Sequence, residues 1–325
     1  MKLRFTEVAV FIAFFPKLLA GPLERADSFV LELRKRKFYN GKRIFTAIKI
    51  IIYALVCKFV FADNIGMYVD SSLLDYRYLS SMGILITAAL FSFQIFFDFY
   101  AYSTLAIGIA KLYGVKLSYN FNYPYFSSSF RDFWKRWNIT LTSWFKSYIY
   151  IPLGGNKVSD FRWIINVLIV FLISGIWHGA TFNFIVWGFL HGILYISERY
   201  IYRYLPVYYK ENKIIQFLYC CLVFMLLSLL WLIFRVEDFT VLSSIFKQLF
   251  LFSSWDVNMK MVGWLIFVIL LMIFLKKYQI IEKFIFRTKD LPAFILKEIL
   301  LLNLLTILLL FFSTSGKSNF IYFKF

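Results

Sequence analysis

Two histidines, His178 and His191, are the only ones in the chain. Both stand inside one apolar, aromatic-rich stretch from Phe171 to Gly192, FLISGIWHGATFNFIVWGFLHG, with glycines at 175, 179, 188 and 192. An imidazole with an ordinary pKa of about 6.5 can accept a proton at neutral pH. A neutral hydroxyl needs such a base before it can attack a carbonyl, so general-base chemistry on a hydroxyl is one reading. Relay of protons is a second, and a hydrogen-bonded core histidine is the plain alternative. Polar groups at membrane depth are costly and default to functional candidates with partners.

A second constellation lies upstream, in Tyr125 to Asn156, YFSSSFRDFWKRWNITLTSWFKSYIYIPLGGN. Phe130, Phe133, Trp134, Trp137, Leu141, Trp144 and Phe145 recur at spacings of three and four, which predicts one face of a helix. Ser127, Ser128 or Ser129 is expected to cap its start, and Pro152 with Gly154 and Gly155 to end it. Arg131, Lys135, Arg136 and Lys146 fall on the other face, the pattern of a helix lying in the membrane interface. Asp132, Asn138 and Thr142 are polar groups that a simple lipid anchor would not need.

The elements that must hold these residues follow from composition. Of the 325 residues 61% are hydrophobic and 22% aromatic, against about half apolar in soluble domains. Several runs are long enough to span a bilayer, so the expected fold is all-α: a polytopic transmembrane helical bundle with interfacial and re-entrant helices. A β-barrel would alternate apolar and polar residues instead. The net charge of +18 arises from 36 Lys and Arg against 18 Asp and Glu. In such a chain it reads as basic loops retained on the cytoplasmic side, with no nucleic acid as partner. Cys57, Cys220 and Cys221 lie in apolar runs without metal-ligand spacing and read as structural.

The charge pattern assigns residues 24–43, 111–162, 199–213 and 276–292 to the cytoplasm. Crossings are expected near Ile44–Phe61, Met82–Phe97, Ile214–Phe234, Met261–Leu275 and Phe294–Phe312, about eight or nine hydrophobic segments in all when shorter runs are included. Residues 6–20 form a short run broken by Pro16, and Lys2 and Arg4 would fall on the wrong side of it. The stretch Ile164 to Ser197 is roughly 34 residues and too long for one span. Split at Ala180–Asn183, it predicts a hairpin of two helices of about 15 residues, each about 23 Å long. His178, beside the tip, would then be submerged in the membrane. Spans this short would leave Asp98 and Asn183 facing lipid.

These residues carry a resemblance. FFPKLLAGPLER, FRDFWKRWNITLTSWFKSYIYIPLGGN, LISGIWHGATFNFIVWGFLHG and the closing NFIYFKF resemble, in order, motifs of the membrane-bound O-acyltransferase family. The similarity is to its bacterial branch, which O-acetylates exported polysaccharides such as alginate. It covers residues 1–325 as a single membrane-embedded acyltransferase domain in a multi-pass protein of the bacterial inner membrane. The chain begins almost on the proline-glycine motif, so it resembles a member without the family's N-terminal helices. Asn138 stands where the branch commonly has His.

The resemblance implies transfer of an acetyl group to hydroxyls of an exported or cell-wall polysaccharide. The donor would be acetyl-CoA or a similar cytoplasmic thioester, with no bound cofactor and no metal. His178 matches the catalytic position and Asn138 the polar partner, which would position substrate or polarise the thioester carbonyl. Arg131, Asp132, Trp134, Arg136, Trp137 and Trp177 are the implied substrate contacts, with Arg131, Lys135 and Arg136 able to meet phosphates of the donor. His191 reads as structural, orienting the site through a hydrogen bond. Membrane lipid, an extracytoplasmic glycan-acetylation protein and a separately encoded N-terminal fragment are the expected partners; without such a fragment weak or absent activity is expected. Alternatives are D-alanyl transfer to teichoic acid, which the IPLGG turn fits less well, a non-catalytic fragment, and a transporter relaying protons through a histidine and Asp98. A transporter would more often show two similar halves with broken helices, and none is visible.

Overall fold

The computed structural model describes residues 3–18, 21–35, 40–204, 212–251, 256–281, 285–286 and 292–313. The closing NFIYFKF motif and the basic residues Arg36, Lys37, Lys210, Lys283, Arg287 and Lys289 lie outside the described residues. Helix follows helix, with no strand among the described residues. Among the described residues, five helices are long and apolar enough to cross a membrane: Gly41–Leu74, Ser81–Leu112, Asp160–His178, Lys213–Arg235 and Met259–Tyr278. The fold is therefore the all-α polytopic bundle that composition predicts.

Two compact units arise from these elements. The first gathers Met1–Met67, Phe93–Asn120 and Ile266–Lys324. It opens with α1 (Phe5–Ala13), a 3-10 turn at Phe15–Lys17 around Pro16, and α2 (Ala26–Arg34). Helix α3 (Gly41–Leu55) runs through a π-helical segment, Val56–Ala62, into α4 (Asp63–Leu74). Helix α5 is Ser81–Leu112. Lys58, in the π segment, reaches the carboxylates of Asp98 at 2.6 Å and Asp63 at 2.9 Å. A charge leaves water only when paired, and this pairing explains how Lys58 and Asp98 sit in apolar runs. Asp98 is buried, which corrects the expectation that it faces lipid.

The second unit comprises Tyr68–Ser92 and Phe121–Leu265. Where sequence spacing predicts one helix from Phe130 to Phe145, the chain forms two, α6 (Phe130–Trp134) and α7 (Ile139–Phe145). The break falls at Asn138, whose backbone is left-handed with φ of 42°, a conformation that Asn tolerates better than most residues. Ser129 caps α6 by accepting from the Asp132 N–H at 2.8 Å, one of the three serines named for that role. Gly154 and Gly155 have φ of 99° and 56° and turn the chain into α8 (Asp160–His178). Asn166 of α8 holds that turn, donating to the carbonyls of Leu153 at 3.0 Å and Gly155 at 3.3 Å.

The predicted hairpin is present, with its break at residues 179–181 and α9 following at Phe182–Tyr204. Its helices have 19 and 23 residues, so each rises roughly 28 Å or more at 1.5 Å per residue, longer than the sequence suggested. Polar Ser, Asn and Glu positions interrupt the apolar run without interrupting the helix, which is why the run looked shorter than it is. The two backbones approach closely at a pair of glycines. A Cβ on Gly175 would stand 2.3 Å from the Phe184 carbonyl oxygen, and one on Gly188 2.4 Å from that of Phe171. Small residues permit this approach between membrane helices.

Beyond the hairpin lie α10 (Lys213–Arg235), α11 (Phe239–Phe250), α12 (Met259–Tyr278) and α13 (Pro292–Phe312). Helix α11 is started by Asp238, which accepts from the Thr240 N–H at 2.7 Å. Asn183 is buried and donates to the carbonyls of Val236 and Glu237. It too was expected to face lipid; the end of α10 instead supplies its acceptors.

Candidate active site

His178 is the last residue of α8, and its side chain is 8% exposed. Four aromatic rings wall it: Trp177 and Phe234 at 5.0 Å between centroids, Trp187 at 5.3 Å and Phe184 at 6.3 Å. The helix terminus puts the imidazole at the hairpin tip, and α9 and α10 close around it with Phe184, Trp187 and Phe234. The wall is apolar, and an apolar surround that limits water strengthens electrostatic interactions inside it.

His191 lies further along α9 and is 0% exposed. Trp187 packs on it at 4.6 Å, Trp134 at 5.0 Å, and Phe171 stacks on it at 6.1 Å. Neither of its ring nitrogens has a hydrogen-bond partner among the described residues. The expectation that it orients the site through a hydrogen bond is thus corrected: its visible contacts are ring packing.

Trp134 brings the Tyr125–Asn156 motif to the hairpin directly, touching Phe171 at 5.4 Å and Trp187 at 6.0 Å as well as His191. Trp137, nearly fully buried, reaches the site through α10. Its ring meets Trp231 at 4.8 Å, and Trp231 in turn meets Trp187 at 5.8 Å and Phe234 at 5.6 Å. The structure therefore joins both sequence motifs through one aromatic cluster. Asn138 follows Trp137 and is buried at the kink between α6 and α7.

The remaining candidates divide. Asp132 and Arg136 pair with each other at 2.9 Å, so the Arg136 guanidinium already has a carboxylate. Arg131 and Lys135 are exposed. Trp177 is 54% exposed and turns one edge to His178 and another to Phe145 at 6.5 Å. Tyr125 anchors the start of the motif: its hydroxyl donates to the Ser92 carbonyl at 2.6 Å. Burial pushes that phenol well above its ordinary range and keeps it a neutral donor.

Sequence reading missed Trp187, Trp231, Phe234 and Glu198. The first lies inside the quoted motif four residues before His191, on the same helix face, a signal that was available. Trp231 and Phe234 belong to an apolar helix with no motif, and only the tertiary fold reveals them. Glu198 accepts hydrogen bonds from the Phe130 and Arg131 backbones and from Tyr219; a lone carboxylate in an aromatic helix was the available sign.

Residues 2–236 match the sequence profile of the MBOAT, membrane-bound O-acyltransferase family. The chain is 37% identical over 237 residues to the peptidoglycan O-acetyltransferase of Helicobacter pylori, covering 72% of this chain and 44% of that protein. It is 32% identical over 257 residues to the probable alginate O-acetylase AlgI of Pseudomonas aeruginosa, covering 78% and 47%. Over 194 residues it is 30% identical to the teichoic acid D-alanyltransferase of Bacillus subtilis, covering 57% and 49%. The chain thus spans about half the length of these relatives. With its apolar helices, its paired motifs and these matches, the chain is a multi-pass membrane protein that belongs to the membrane-bound O-acyltransferase family.

Proposed function

We propose that the chain carries the acyl-transfer centre of a membrane O-acetyltransferase of the bacterial inner membrane. It moves an acetyl group from a cytoplasmic thioester, such as acetyl-CoA, to a hydroxyl of a cell-envelope polysaccharide or peptidoglycan. The observation that carries this reading is the burial of His178 at the hairpin tip within a wall of four aromatic rings. In the step proposed, an imidazole nitrogen of His178 takes the hydroxyl proton as the oxygen attacks the thioester carbonyl. A C–O bond forms, the C–S bond breaks, and the departing thiolate receives a proton. Asn138 aligns the carbonyl through its amide N–H. Arg131 and Lys135, exposed at the cytoplasmic motif, meet donor phosphates, while Arg136 and Asp132 hold one another. An extracytoplasmic acetylation partner and a separately encoded N-terminal segment belong to the same proposal.

Similarity to a teichoic acid D-alanyltransferase keeps D-alanyl transfer as the second reading. Deleting the gene and restoring it, then measuring ester-linked acetate and ester-linked D-alanine in purified envelope glycans, separates the two. Acetate that falls on deletion and returns on restoration supports the proposal. Loss of D-alanine alone establishes the alternative, and unchanged levels of both overturn acyl transfer to envelope glycans.

A further inference from the structure

We propose that Glu198 is a positioning residue: its carboxylate fixes the chain that carries Arg131, Trp134 and Asn138 against the histidine hairpin. The proposal rests on the acyl-transfer reading above. Glu198 stands about two turns beyond His191 on α9, hence on the same face of that helix. Only 8% of it is exposed. Its Oε1 accepts from the Phe130 N–H at 2.9 Å and from the Tyr219 hydroxyl at 2.6 Å, and its Oε2 accepts from the Arg131 N–H at 3.0 Å. Three donors from α6 and α10 thus converge on one side chain of α9. With Ser129 accepting from the Asp132 N–H at 2.8 Å, the opening backbone N–H groups of α6 are satisfied in succession.

Hydrogen bonds to an ionised carboxylate are stronger than neutral ones. A bidentate grip on two adjacent amides also sets both the position and the direction of α6. One turn later Trp134 lands on His191 and Phe171, and beyond it the kink presents Asn138. Arginine side chains are long and flexible and can follow a displaced ligand. Trp134 and Asn138 cannot, because one is wedged among rings and the other is buried at a left-handed backbone position. Loosening α6 therefore disturbs the chemical step more than donor capture.

The test replaces the codon at the chain's own genomic locus, so that whatever accompanies the chain in the cell is kept. E198Q retains one acceptor oxygen and E198A retains none. Isolated membranes are assayed with radiolabelled acetyl-CoA for maximal rate per folded chain and for donor KM, and folded chain is quantified by the thermal midpoint and yield in detergent. The proposal expects E198Q to keep its midpoint while its maximal rate falls by about tenfold or more, with KM within about twofold. E198A should fall further and Tyr219→Phe should fall least. A wild-type maximal rate per folded chain in E198Q, or losses in all three variants that merely track the amount of folded chain, overturns the positioning role. If wild-type membranes transfer no acetyl group, the acyl-transfer reading itself fails and this proposal fails with it.

Discussion

Two buried polar centres in this chain are built on opposite principles. In the first unit, Lys58 lies between Asp98 and Asp63 at 2.6 and 2.9 Å, an ion cluster in which opposite charges meet directly. In the second, His178 and His191 are walled by tryptophan and phenylalanine rings, with ring centroids 4.6–6.3 Å away. The ion cluster ties together the helical segments that carry it. The aromatic wall supplies shape and an apolar surround for both imidazoles. Paired charge holds polar groups in one region, and ring packing holds them in the other.

Breaking the ion cluster should give the largest effect on folding. Lys58→Met strands two carboxylates in a buried site, a change that costs about 3–5 kcal/mol when one partner of a buried pair is removed. We expect loss of most folded chain in detergent. Partial recovery is expected when Asp98→Asn is added, since the second change removes one stranded charge. A Lys58→Met chain as stable as wild type would mean that the cluster is not structural.

A smaller effect is expected at the hairpin. Gly188→Leu drives a side chain into the Phe171 carbonyl, where even a Cβ has only 2.4 Å. Overpacking of this kind costs about 1–3 kcal/mol, and the thermal midpoint should fall. The same midpoint as wild type would show that α8 and α9 can separate without cost.

The smallest effect is expected at His191. Its contacts are rings, so His191→Phe preserves them and removes two polar atoms from a fully buried position. A buried polar group without a partner costs about 1–3 kcal/mol, so the thermal midpoint should hold or rise, and acetyl transfer should stay within about threefold of wild type. A collapse of activity in a stable His191→Phe chain would move His191 from packing into the chemistry.

Local patterns made part of this legible. The apolar runs predicted the helices, the polar stretch Ala180–Asn183 predicted the hairpin, and the serine run predicted the Ser129 cap. Helical periodicity misled between Phe130 and Phe145, because the spacing continues through Asn138 although its backbone turns left-handed. Longer-range partners were less legible. Lys58 and Asp98 were each visible as charges in apolar runs, and the rule that buried charges need partners would have paired them. Trp231, Phe234 and Tyr219 approach the motifs only through tertiary packing, and nothing in their own helix distinguishes them from lipid-facing neighbours. The fold was written in periodicity, whereas much of the site depends on which helix packs beside which.

The most direct test of the central claim is His178→Ala made at the native locus, with ester-linked acetate in envelope glycans and folded chain measured in the same cells. General-base catalysis contributes about 10²–10⁴-fold. The account predicts a loss of acetyl ester of at least about a hundredfold, with the folded chain present at wild-type level and thermal midpoint little changed. Wild-type acetylation in His178→Ala cells that contain the folded variant would contradict it.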